Sequence, residues 1–163
     1  MLLRGNTGDA QPLQSILGRP ARPAAQFITE QQAAATRISG QLGWLLPLLR
    51  YSIAVVWIVT GLVSLGLFPA ASSYELLSRV GVPGALQPVF LYGAAGMDLV
   101  FGILTLRAHR ARYVWLAQMV VIVGYTVIIS VRMPEFWLHP FGPLLKNLPM
   151  LAAISVLYYL ERR

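Results

Sequence analysis

The chain has 163 residues, 56% of them hydrophobic and 12% charged, with a net charge of +7. A soluble domain is usually about 25% charged, so the composition excludes a soluble enzyme with an anchor and leaves one small membrane bundle. The absence of cysteine removes thiol–disulfide chemistry, iron–sulfur clusters and thiolate metal sites.

Residues 1–26 are rich in Gly, Pro, Gln and Arg and read as an extended N-terminal arm, with Leu13, Ile16 and Leu17 its apolar cluster. Such a segment is either disordered or ordered by docking on a partner subunit. Residues 1–40 hold no apolar core of about 7–15 residues, so no secretory signal is expected there. Thr29 and Gln32 stand at capping-box spacing and predict a helix over 29–39, which Gly40 can end. Its apolar face, Ile28, Ala35, Ile38 and Leu42, suits the cytoplasmic membrane surface.

Four apolar stretches follow, Leu45–Phe68, Val89–Leu106, Tyr113–Val131 and Leu144–Leu160. A spanning helix needs about 20 residues, and backbone amides in lipid require helices. The fold class is therefore all-α, an integral membrane four-helix bundle with short interfacial helices and the N-terminal arm. The domains are expected at 1–40 for the arm and 41–163 for the bundle. Between the first two stretches, Ser72 and Glu75 form a second capping-box pair and Gly81 a stop, which predicts a small outer-surface helix over Ser73–Val80. Between the last two, Pro134, Pro140, Pro143 and Pro149 forbid a simple hairpin. Only about 13 uninterrupted apolar residues remain from Leu148, too short to cross alone.

Positive charge gathers before the first stretch, at Arg107, Arg110 and Arg112, and at Arg162 and Arg163. The positive-inside rule places both termini and the 107–112 loop in the cytoplasm of a bacterial inner membrane. Membrane lipids are expected partners, and nucleic acid is not. His109 and His139 fall in loops on opposite sides, so a bis-His haem within the membrane is excluded.

Charges inside apolar spans are costly and mark a partner or a job. Arg50 lies roughly 9 Å, Asp98 roughly 12 Å and Gln118 roughly 9 Å from the cytoplasmic boundary at 1.5 Å per residue. Matched depth predicts an Arg50–Asp98 ion pair supported by Gln118. Arg50, Ala54, Trp57, Gly61 and Ser64 share one face, as do Ala94, Asp98 and Gly102. Gln118, Tyr125, Arg132 and Lys146 form a prospective polar track to the outer surface. The cluster Arg50, Asp98, Gln118 and Tyr125 reads either as a structural clamp or as a ligand, quinone or proton site. In the outer loop, Glu135, His139, Lys146 and Asn147 read as a solvated, proline-shaped cluster. One His beside one Glu is too poor a set for zinc, and no metal or catalytic residue is assigned.

The runs RYSIAVVWIVTGLVSL at 50–65, SYELLSRVGV at 73–82, LYGAAGMDLVFGILTL at 91–106 and PEFWLHPFGPLLKNLPMLA at 134–152 give the chain a known pattern. It resembles the DoxX-like membrane proteins, in the subgroup that also occurs fused behind short-chain dehydrogenase-type domains. The resemblance implies a four-helix membrane bundle and, more loosely, association with quinone-linked or other oxidoreductase systems. Here about 40 residues, not a dehydrogenase domain, precede the bundle. The expectation is a non-catalytic accessory subunit of a membrane complex, docked through its arm on other subunits. The alternatives are a quinone- or lipid-binding redox protein using the Arg50, Asp98 and Gln118 pocket, and a small proton-coupled transporter.

Overall fold

A computed structural model describes residues 9–20, 29–107, 112–140 and 142–161. Expectations resting on Ile28, His109, Arg110, Arg162 and Arg163 lie outside these residues. Among the described residues every regular element is helical. Three segments are long and apolar enough to cross a membrane: Glu30–Leu67, Gly84–Arg107 and Arg112–Arg132. The chain is an all-α integral membrane protein.

It divides into two units, Met1–Gly43 and Trp44–Arg163. In the first, the arm expected to be extended contains helix α1, Gln11–Leu17. Asp9 Oδ1 accepts the Gln11 N–H at 3.0 Å, Pro12 fits the first turn, and Gly18 ends the helix with a left-handed φ of 62°. Leu13, Ile16 and Leu17 are exposed. Helix α2, Glu30–Leu62, begins with the expected capping box. The Thr29 N–H donates to Gln32 Oε1 at 3.1 Å, and the Gln32 N–H to Thr29 Oγ1 at 3.2 Å. The stop expected at Gly40 is not there, and α2 runs through it and through Pro47. Glycine ends a helix only by turning left-handed; here no proline follows closely and Gln41 and Leu42 carry the helix on.

The second unit holds the remaining helices. A π-helical turn, Val63–Leu67, ends the α2 segment. Helix α3, Ala70–Val80, starts at Pro69 with no side-chain cap. The capping box expected at Ser72 and Glu75 does not form, because Pro69 starts the helix earlier and leaves both residues inside it. Gly81 does stop it, with φ of 101°. Its N–H bonds the Leu77 and Ser78 carbonyls, and the Val82 N–H returns to Leu77, which satisfies the carbonyls of the last turn. Helices α4, Gln87–Arg107, and α5, Arg112–Arg132, follow. A short 3₁₀ turn, Pro134–Trp137, leads towards α6, Asn147–Leu160. At 14 residues α6 is roughly 21 Å long, short of a hydrocarbon core of about 30 Å. The four expected spans thus become three span-length helices and a shorter apolar fourth packed on α5.

The inward stripe of α2 is Arg50, Ile53, Ala54, Trp57 and Gly61, the face read from spacing without Ser64. On α4, Gly102 of the expected face is buried, Asp98 is half-buried, and Ala95 is buried in place of Ala94. Small residues set the crossing of α2 and α4. A Cβ on Gly102 would collide with the Ile58 side chain and lie 3.2 Å from the Ala54 carbonyl. One on Gly61 would lie 2.9 Å from Leu99. Ile53, Trp57, Phe101, Trp115, Ile122, Ile154 and Leu157 fill the core. Val55, Val59, Val100, Val120, Val127 and Val131 remain exposed, as expected of lipid-facing sides.

Candidate functional site

The buried arginine organises one end of the second unit. The Arg50 Nε–H donates to Glu161 Oε1 at 3.1 Å, and the guanidinium makes a second ion contact with Glu161 Oε2. Arg50 Nη1 donates to the Thr105 carbonyl at 3.2 Å, and the guanidinium carbon lies 5.5 Å from the Trp115 ring centroid. The Trp115 indole N–H reaches Glu161 Oε2 at 3.2 Å. Gln118, fully buried, donates to Thr105 Oγ1 at 2.7 Å and accepts from the Trp57 indole at 2.9 Å. This network joins α2, α4, α5 and the end of α6. Among the described residues no buried side-chain polar atom lacks a partner.

The predicted Arg50–Asp98 pair is not formed; the carboxylate that meets Arg50 is Glu161. Thr105, which Arg50 reaches on α4, is seven residues beyond Asp98, about 10 Å along the axis. Equal depth was inferred from Cα positions, but a long arginine side chain carries its charge to the bundle end. The sequence reading also missed Glu161, Thr105 and Trp115. One signal was present: Glu161 is an acidic residue at the C-terminal end of the last apolar stretch, and the expected topology puts that end on the side of Arg50.

Asp98 has a different setting. It lies about midway along α4 and makes no ion pair with a described residue. It borders a cavity of about 200 Å³ whose other polar walls are Thr60, Tyr125 and Asn147. Trp57, Ile122 and Met150 supply apolar walls. The Thr60 hydroxyl donates to the Val56 carbonyl at 2.8 Å, and the Asn147 amide donates to Thr126 Oγ1 at 2.8 Å. Tyr125 also borders a second groove, of about 300 Å³, with Val89, Phe90, Gly93, Ala94 and Met97. The four-residue cluster read from sequence therefore splits into two sites. Arg50 and Gln118 belong to the buried network, Asp98 and Tyr125 to the cavity. The proposed track from Gln118 to Lys146 is interrupted at its first step, where the Gln118 amide is held by Trp57 and Thr105.

The residues of the loop cluster after α5 take separate partners. Glu135 pairs with Arg79 of α3, both sides exposed, an arrangement worth little stability. The His139 ring stacks with Phe136 at 6.1 Å between centroids. The Lys146 N–H bonds the Gly142 carbonyl at 3.2 Å. Asn147 turns inward to Thr126 and joins the cavity. Ser130 and the Trp137 indole extend the polar contacts along α5, at 2.9 Å.

Compared with known proteins, residues 54–155 match the DoxX-like family. No curated protein and no solved structure matches the chain.

Proposed function

The chain belongs to the DoxX-like family, and from that membership we propose that it serves as a non-catalytic subunit of a larger membrane assembly, redox or energy-converting, in a bacterial inner membrane. The observation that carries the reading is the buried polar network. Arg50, Glu161, Thr105, Trp115, Gln118 and Trp57 bond to one another across four helices. A buried network of this kind fixes helix positions, a structural rather than a chemical task. Partner contacts fall to the first unit, where Leu13, Ile16 and Leu17 leave apolar surface exposed on α1. Purification in mild detergent, followed by mass spectrometry, tests this. Other membrane subunits at fixed stoichiometry are expected; a protein that isolates alone, under conditions that keep membrane complexes intact, overturns the reading.

A second reading is favoured by the cavity beside Asp98, namely that the bundle holds a quinone or a lipid. Such a ligand would take the walls of Asp98, Tyr125 and Asn147, not Arg50 and Gln118, which are engaged by Glu161, Thr105 and Trp57. Lipid extracts of the purified protein would then contain a quinone or one lipid species in stoichiometric amount.

A further inference from the structure

Asp98 sets an electrostatic question that the rest of the protein leaves open. A carboxylate charge within a membrane-spanning helix is costly without a counter-ion. Arg50 is engaged at the bundle end with Glu161, and Asp98 makes no ion pair with a described residue. Yet Asp98 does not face a sealed apolar core. It borders a cavity large enough for a small organic molecule.

The hydrogen-bonding character of that cavity is lopsided. The Thr60 hydroxyl donates to the Val56 carbonyl, the Asn147 amide to Thr126, and the Trp57 indole N–H to Gln118. The Asn147 and Trp57 donors are thus directed elsewhere, while the Thr60 hydroxyl also contacts the Asp98 carboxylate and the Tyr125 hydroxyl faces the cavity as a donor as well as an acceptor. The Asp98 carboxylate, the Asn147 amide oxygen and the hydroxyl lone pairs are its acceptors, and only the carboxylate carries charge. A ligand that brings positive charge finds a counter-ion in Asp98, which a neutral ligand leaves uncompensated. Two walls are aromatic, Trp57 and Tyr125, and aromatic rings attract ammonium groups. The Trp57 ring is held in place by its bond to Gln118 and by Phe101, 5.0 Å away between centroids. The wall is therefore preformed.

The mouth defines the route. Val56 and Tyr125 line the cavity and are 44% and 41% exposed on the outside of the helices. Thr60 is exposed beside them. Around a spanning segment that outside is lipid, so an occupant first partitions into the membrane. We propose that the Asp98 cavity binds a lipophilic monovalent organic cation, an aryl- or alkylammonium, with Asp98 as counter-ion and Trp57 and Tyr125 as aromatic walls. This goes beyond the subunit reading and does not depend on it.

Benzyltrimethylammonium and its neutral carbon isostere neopentylbenzene make the test, because they share a shape and differ in charge. Binding of each to the full-length protein in phosphatidylcholine nanodiscs is followed by titration calorimetry. Saturable binding of the ammonium is expected, with the neutral isostere weaker by about tenfold or more. Asp98→Asn, nearly the same in shape, is expected to abolish that preference. Met150→Trp, which fills the cavity from α6, is expected to block both ligands while leaving Asp98 in place. Thermal unfolding checks that each variant folds; if Asp98→Asn does not, the paired ligands on the unmodified protein still decide. Equal binding of the two ligands, undiminished ammonium binding by a folded Asp98→Asn protein, or no saturable ammonium binding overturns the proposal. Loss of partner subunits would leave these titrations unchanged, so this proposal and the subunit reading fail separately.

Discussion

Arg50 and Glu161 stand 111 positions apart in the chain, and their contact holds the first spanning helix to the end of the last. Side-chain exposures of 6% and 15% place the pair among ions whose separation is expensive. Glu161→Gln is expected to cost about 3–5 kcal/mol, mostly the penalty of leaving a buried guanidinium without its carboxylate. A double-mutant cycle on thermal unfolding in detergent checks the assignment. Arg50→Gln and Glu161→Gln should couple strongly, whereas Arg50→Gln and Asp98→Asn should be additive. Gln118 gives a second residue-scale outcome. Gln118→Leu strands the Trp57 N–H and the Thr105 hydroxyl, at about 1–3 kcal/mol for each orphaned group. Trp57→Phe in that background removes one orphan and should recover part of the loss in the same unfolding assay.

At the scale of elements, close approach of α2 and α4 is set by where side chains are missing. Gly102→Ala places a methyl group into Ile58 and against the Ala54 carbonyl, and overpacking of this kind costs about 1–3 kcal/mol. Gly93 lies on the same helix with nothing within 4 Å of an added Cβ. Gly93→Ala should be neutral, or stabilising by up to about 1 kcal/mol through helix propensity. Opposite responses of these two variants in thermal unfolding identify the packed face of α4; equal responses contradict the crossing. The short α6 belongs to this scale as well. Its bonds to α5 at both ends, Asn147 to Thr126 and Glu161 to Trp115, secure a helix that length alone would not hold across the bilayer.

For the whole molecule, orientation follows from charge. Reporter fusions after residue 163 and within 107–112 are expected to read cytoplasmic, because arginines concentrate on those segments. A periplasmic reading at either point contradicts the topology. Removing residues 1–43, the first unit, is expected to leave the bundle inserted while lowering recovery of partner subunits in the mild-detergent preparation. Undiminished partner stoichiometry in the truncated protein would remove the physical motive for assigning partner contacts to that unit.

Sequence by itself determined the membrane class, the span-length helices, the capping box at Thr29, the stop at Gly81 and most of the inward face of α2. These follow from local rules: apolar length, hydrogen bonds three residues apart, a glycine in left-handed conformation, and helical periodicity. The shortfall of the last helix was legible too, as the few apolar residues after Leu148. Tertiary structure alone decided which charge meets which. Arg50 could reach several levels of the bundle, and helix spacing fixes Cα depth but not the end of a long side chain. Glu161, Thr105 and Trp115 became its partners because α4, α5 and α6 bring their matching ends together, an arrangement no local pattern encodes. The same packing separated Asp98 from Arg50 and left its carboxylate beside a cavity, so that one cluster in the sequence became a clamp and an open acidic site in the fold.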